Sequence, residues 1–160
     1  MKFREYLEKL FELKEFLGKD IENFNAVVLF DPDEKPLIKD WRNENNMPVP
    51  VKGDGVGNKS GLYFFLSSNG TVLYIGKATK NNVHERIWGH IQTPGGGDTD
   101  GIMTFPNNRF KKEFNNKWSS LFESGDVKIG IVEITPEHAT SLSEVYLQTI
   151  SLPPLCKRIG

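Results

Sequence analysis

The chain holds one cysteine, Cys156, in 160 residues, so no intramolecular disulfide can staple it. A reducing compartment fits that usage, and the cytoplasm is the expected location. No apolar run approaches the roughly 20 residues that a membrane span needs. The first residues, MKFREYLEKLFELKEF, mix both charges throughout, unlike a secretory signal. A charge excess of one sign is also missing: 20 Lys and Arg face 21 Asp and Glu, a net charge of −1. Proteins that hold nucleic acid unaided usually carry a basic excess, because neutralising phosphates and releasing counterions supplies most non-specific affinity. Residues 1–60 carry ten Lys or Arg and twelve Asp or Glu, and residues 61–160 carry ten and nine. A polyanion would therefore be held through a local groove, with modest affinity, or with help from a partner.

What the chain does have is organised around Gly61 to His90 (GLYFFLSSNGTVLYIGKATKNNVHERIWGH). Two β-prone runs, Gly61 to Ser67 and Thr71 to Gly76, flank Ser68-Asn69-Gly70, and an Asn-Gly pair between such runs is a strong hairpin signal. Asn81 and Asn82 then offer helix caps, and Val83, Ile87 and Ile91 recur at helical spacing. Arg86 and His90, four residues apart, share a neighbouring face of that helix. A hairpin bearing Tyr63 and Tyr74 is thus followed at once by a helix bearing a cation and an imidazole.

The remaining chain supplies elements around this hairpin. Residues 2–17 form an amphipathic helix by spacing, with Gly18 at its end, and Ala26 to Phe30 form a buried strand. Its helix is a candidate for docking a partner or a second copy, although packing on the chain's own core is the plainer reading. Residues 31–60 are rich in proline and glycine and read as loop, with an edge strand near residues 36–41. Residues 1–60 are accordingly expected as an extension packed on a main domain of residues 61–160. A glycine-rich loop over residues 93–108 precedes an aromatic-lined helix over residues 108–123. Arg109, Lys111, Lys112 and Lys117 lie off its apolar stripe and are candidates for backbone contact with nucleic acid. A strand over residues 127–134 leads to Thr135-Pro136-Glu137, which starts a helix with Thr135 as its expected cap. On that helix Leu142, Val145, Tyr146 and Thr149 share one face and Glu144 lies nearly opposite, where periodicity alone makes it a solvated carboxylate. His84 and His138 have no suggestive neighbours.

Gly61-Leu62-Tyr63, a ten-residue gap and Tyr74-Ile75-Gly76-Lys77 resemble the signature of the GIY-YIG nuclease family. Arg86 with His90 on the next helix, Glu144 on a later one, and Pro153-Pro154-Leu155-Cys156 follow in that family's order. Cysteine at 156 stands where the family usually has asparagine. The resemblance covers about Ser60 to Gly160. It implies an α/β (α+β) fold, a small three-stranded antiparallel sheet flanked by helices, here with an added N-terminal helix and short strand.

It also implies a metal-dependent endonuclease, a hydrolase acting on phosphodiester bonds, with DNA the expected nucleic acid. The cofactor would be one Mg (or Mn) ion per site, on Glu144 as its protein ligand. Magnesium suits such a site because it keeps most of its waters. Arg86 would clamp non-bridging phosphate oxygens. Tyr63 and Tyr74 would flank the attacking water, one as general base with Lys77 supplying positive charge. His90 would relay a proton or hold phosphate, and Gly61 and Gly76 would shape the strands. A thiol at 156 makes a poorer hydrogen bond than an amide. Cys156 and the neutral balance favour the competing expectation, a catalytically weak nucleic-acid-binding or partner-binding module on the same scaffold.

Overall fold

The computed structural model describes residues 1–31, 56–91, 127–156 and 159. Among them are three helices and a four-stranded antiparallel sheet. In chain order they are α1 (Phe3–Leu17), β1 (Asn25–Phe30), β2 (Gly61–Leu66), β3 (Val72–Ala78), α2 (Val83–Ile91), β4 (Lys128–Thr135) and α3 (Glu137–Ile150). The chain is therefore a mixed α and β protein. The expected edge strand near residues 36–41, the glycine-rich loop and the helix over residues 108–123 lie outside the described residues. So do Arg109, Lys111, Lys112 and Lys117.

The sheet order is β1-β4-β2-β3. Three of these strands are the ones expected in the main domain. The fourth, β1, pairs antiparallel with β4 (Asn25 with Thr135, Val28 with Val132), so the sheet has four strands and not three. An apolar strand leaves backbone donors and acceptors to satisfy, and the free side of β4 accepts them.

Alternation along β2 divides the interior. Leu62, Phe64 and Leu66 point to one face, where they meet Phe3, Tyr6, Leu10 and Leu147 of α1 and α3. Tyr63 and Phe65 point to the other, where they meet Val83 and Ile87 of α2. All six β2 residues are buried, which explains why this strand reads as a continuous apolar run.

The β2–β3 turn is a three-residue loop, Ser68 to Gly70. Ser67 N–H donates to Thr71 O at 3.0 Å, and Gly70, at φ 77°, occupies the left-handed position. Asn69 uses its side-chain carbonyl to accept from Thr71 N–H at 3.1 Å and from the Ser67 hydroxyl at 2.7 Å. The start of α1 is tied to this turn, with Phe3 N–H donating to Gly70 O at 3.0 Å and Lys2 Nζ to Asn69 O at 2.6 Å. Glu5 accepts the Lys2 N–H at 2.5 Å, which satisfies one free donor at the helix start.

Two caps differ from their sequence reading. The first turn of α2 is satisfied by backbone: Val83 N–H donates to Lys59 O and His84 N–H to Gly57 O, while Asn82 Oδ1 has no hydrogen-bond partner among the described residues. At α3 the capping position falls on Pro136, one residue later than Thr135, and no side chain caps it. Among the described residues, no helix is long and apolar enough to cross a membrane.

Because α1 completes the face formed by β2 and α3, its buried positions should carry stability. Leu10 has no exposure and Phe16 is 77% exposed. Leu10→Ala should cost about 2–5 kcal/mol in urea unfolding, and Phe16→Ala less than about 0.5 kcal/mol. Equal small effects would mean that α1 is not part of the folding unit.

Candidate active site

The candidate residues gather along the outer edge of β3. Its carbonyls at 73, 75 and 77 point away from β2 and would be unpaired at an open edge. Each is taken by a different part of the chain. Leu155 N–H donates to Leu73 O at 2.9 Å. Gln148 Nε2 donates to Ile75 O at 3.3 Å, and Cys156 Sγ approaches the same oxygen at 3.6 Å. Arg86 Nε donates to Lys77 O at 3.3 Å. The edge strand thus ties α2, α3 and the C-terminal segment together around Gly76.

On the α2 face, Tyr63 pairs across the strands with Gly76. A Cβ at Gly76 would fall inside the Tyr63 ring, against its Cζ and hydroxyl. Only glycine lets this ring lie across β3 and carry its hydroxyl toward the strand edge. Gly61 is constrained as tightly, since a Cβ there would overlap Val132 O of β4 and lie 2.9 Å from the Glu133 Cα. Both glycines serve close packing within the sheet.

Tyr63 is fully buried, with the Tyr74 side chain as the polar neighbour of its hydroxyl. Burial pushes its phenol well above 10. The neighbouring Tyr74 raises it further, while the Arg86 guanidinium pulls it down and the Glu144 carboxylate pushes it up. A phenol so placed is a poor base near neutrality and a competent hydrogen-bond donor. Tyr74 is half-buried and stands 6.1 Å from Tyr63, ring centre to ring centre. His90 lies under the same cluster, 4.7 Å from Tyr74, 5.8 Å from Tyr63 and 5.9 Å from Phe65. It is buried among aromatic rings, which places it behind the tyrosines and not at an open surface.

On the opposite face stands Glu144. Periodicity suggested a solvated carboxylate, and the structure reverses this: Glu144 is 6% exposed, whereas Leu142 and Val145 are 41% and 38% exposed. The face of α3 that packs on the sheet is built from Ala139, Thr140, Ser143, Glu144, Leu147 and Gln148. Polar residues fit there because they hydrogen-bond to the sheet, Gln148 to Ile75 O of β3 and the Thr140 hydroxyl to Ile134 O of β4. Lys77 Nζ sits 2.8 Å from Glu144 Oε2. The geometry is that of an ion pair and not of a hydrogen bond, so Oε2 remains without a hydrogen-bonded partner although it is buried.

Two residues of this arrangement escaped the sequence reading. Gln148 bridges α3 to Ile75 O and lies 3.8 Å from the Cys156 sulfur. Ser143, beside Glu144, has a buried hydroxyl with no hydrogen-bond partner among the described residues. Thr140, Glu144 and Gln148 recur every four residues, a polar stripe opposite Leu142 and Val145. That stripe was the available signal.

Among the described residues, no three His, Cys, Asp or Glu side chains come together. A metal ion here would meet one protein carboxylate, not a cage. The buried Glu144 oxygen that lacks a hydrogen bond fits such a ligand, since a magnesium ion held by one carboxylate completes its shell with water and substrate oxygens.

Burial pushes the Cys156 thiol up to about 11 from 9.0, against the smaller opposite pull of its contact with Ile75. The raised value marks the neutral thiol as the form the fold accommodates, so this contribution to stability is complete below pH 9 and is lost as pH rises toward 11. At neutral pH the two-unit difference leaves roughly 100-fold less thiolate than in the unfolded chain. Disulfide-exchange labelling at pH 7 should therefore run at least about 100-fold slower on the folded chain than in denaturant. Equal rates would show an accessible, reactive thiol instead.

Comparison with known family models, with curated proteins and with solved structures finds no match.

Proposed function

We propose that the chain is a metal-dependent endonuclease that hydrolyses phosphodiester bonds, with DNA as its substrate and a GIY-YIG-like arrangement of strands and helices. The observation that carries this reading is the gathering around Gly76 of Tyr63, Tyr74, Lys77, Arg86 and a buried Glu144 contributed by a distant helix. Burying a carboxylate in the contact between α3 and the sheet is costly even with Lys77 as its counter-charge, and packing alone would be served as well by an apolar side chain.

Hydrolysis needs an attacking water, stabilisation of charge on phosphorus and support for the departing 3′ oxygen. Glu144 would hold a magnesium or manganese ion, which when bound would supply Lewis acidity toward the phosphate. Arg86 is fixed at Nε by Lys77 O, and its terminal nitrogens make the fork that matches two phosphate oxygens. Tyr74, the more exposed of the two phenols, would act as its phenolate, having given its own proton to solvent, and accept the proton of the attacking water, while the departing 3′ oxygen takes a proton from solvent. The water oxygen bonds to phosphorus as the bond to the 3′ oxygen breaks. Tyr63, held protonated by burial, orients the water by hydrogen bonding. His90 braces the Tyr74 ring from behind.

A second reading has its own observation. Lys77 neutralises Glu144 at 2.8 Å, a closed arrangement that suits a binding module which does not cut.

The test is cleavage of labelled single-stranded, duplex and branched DNA, and of RNA, with and without magnesium. Magnesium-dependent cutting should fall by at least about 100-fold in Glu144→Ala and in Arg86→Ala. Tyr74→Phe should lose about 100-fold, and Tyr63→Phe less. Absence of cutting, with binding equal in wild type and variants, would favour the binding module.

A further inference from the structure

We infer that Lys77 is a placeholder for the metal: in the free chain its ammonium occupies the position at Glu144 that a divalent cation takes. Metal binding then requires Lys77 to swing off the carboxylate. This rests on the reading of Glu144 as the metal ligand.

Three observations carry it. A carboxylate as deeply buried as Glu144 needs a counter-charge, and Lys77 is the cation within ion-pair distance among the described residues. The pair is close, at 2.8 Å, yet lacks hydrogen-bond geometry at Oε2, so charge holds it without a directional lock. The two partners also differ in freedom. Glu144 is packed in the α3–sheet contact, whereas a third of the Lys77 side chain is exposed on the edge strand. A lysine stem of four carbons can leave for solvent without moving the backbone, which Arg86 pins at the Lys77 carbonyl.

The displaced ammonium remains beside the site, anchored at the same backbone position, and meets the phosphate that arrives with the ion. Metal and phosphodiester should therefore assist one another, because the anion compensates the lysine for the partner it loses. By linkage, each then raises the affinity of the other by the same factor.

The experiment measures Mn²⁺ binding by electron paramagnetic resonance, without nucleic acid, at fixed pH and ionic strength. Wild type, Lys77→Met, Lys77→Arg and Glu144→Gln are compared, each checked for folding by thermal unfolding. Lys77→Met should bind Mn²⁺ roughly five- to tenfold more tightly than wild type, Lys77→Arg about as weakly as wild type, and Glu144→Gln not measurably.

Equal or weaker binding by Lys77→Met, with binding still lost in Glu144→Gln, overturns the placeholder and leaves Glu144 as the ligand. Unchanged binding by Glu144→Gln, or no binding by wild type and variants alike, overturns the metal site itself and the placeholder with it. A readout on wild type alone guards against a misfolded variant. The Lys77 ammonium nitrogen resonance should move toward the value of a free lysine as Mg²⁺ is added. A signal unmoved at saturating Mg²⁺, bound at Glu144, excludes displacement.

Discussion

The hydrogen-bonding edge of β3 is the constraint on which the rest of the arrangement depends. A terminal strand must satisfy its outward carbonyls with water or with protein. Here the carbonyls of Leu73, Ile75 and Lys77 take the Leu155 amide, the Gln148 amide with the Cys156 thiol, and the Arg86 guanidinium. These contacts bring a helix from each face of the sheet, and the segment after α3, to one line. The same backbone that closes the fold therefore sets the spacing between Arg86 and Glu144.

Gly76 is the point where the two faces communicate. Since it lacks a side chain, the Tyr63 ring crosses the strand, and its hydroxyl feels both the Arg86 charge and the Glu144 charge. Replacing it with even alanine forces the ring away, so the constraint is steric before it is chemical. Burial of Tyr63 then sets the two phenols apart, one held protonated and the other left partly open to solvent.

Much of this was legible in the sequence, and for physical reasons. Alternation and the Asn-Gly turn mark β2 and β3, four-residue spacing marks α2, and the charged amphipathic pattern marks α1. Each is a local signal and each element forms where it is expected. The failures are tertiary. Wheel analysis of α3 followed hydrophobicity to Leu142 and Val145, but hydrogen bonding to β3 and β4 selects polar residues, so the polar side of the helix is the buried one. The strand β1 is expected from the sequence, but its pairing with β4 is hidden, because partners more than 100 residues apart leave no local trace. The α2 cap was misread because carbonyls of residues 57 and 59 displaced the asparagine side chains.

The division of the site between two hydrophobic layers has a consequence for transplanting it. A cassette spanning Gly61 to His90 would carry both tyrosines, the lysine and the arginine, yet it would arrive without α3, Gln148 and the segment that seals the strand edge. A host scaffold would have to rebuild a helix at the same height on the reverse side of the sheet. The hairpin and its helix are one half of a clasp, and whatever they grip is set by a part of the chain more than forty residues away.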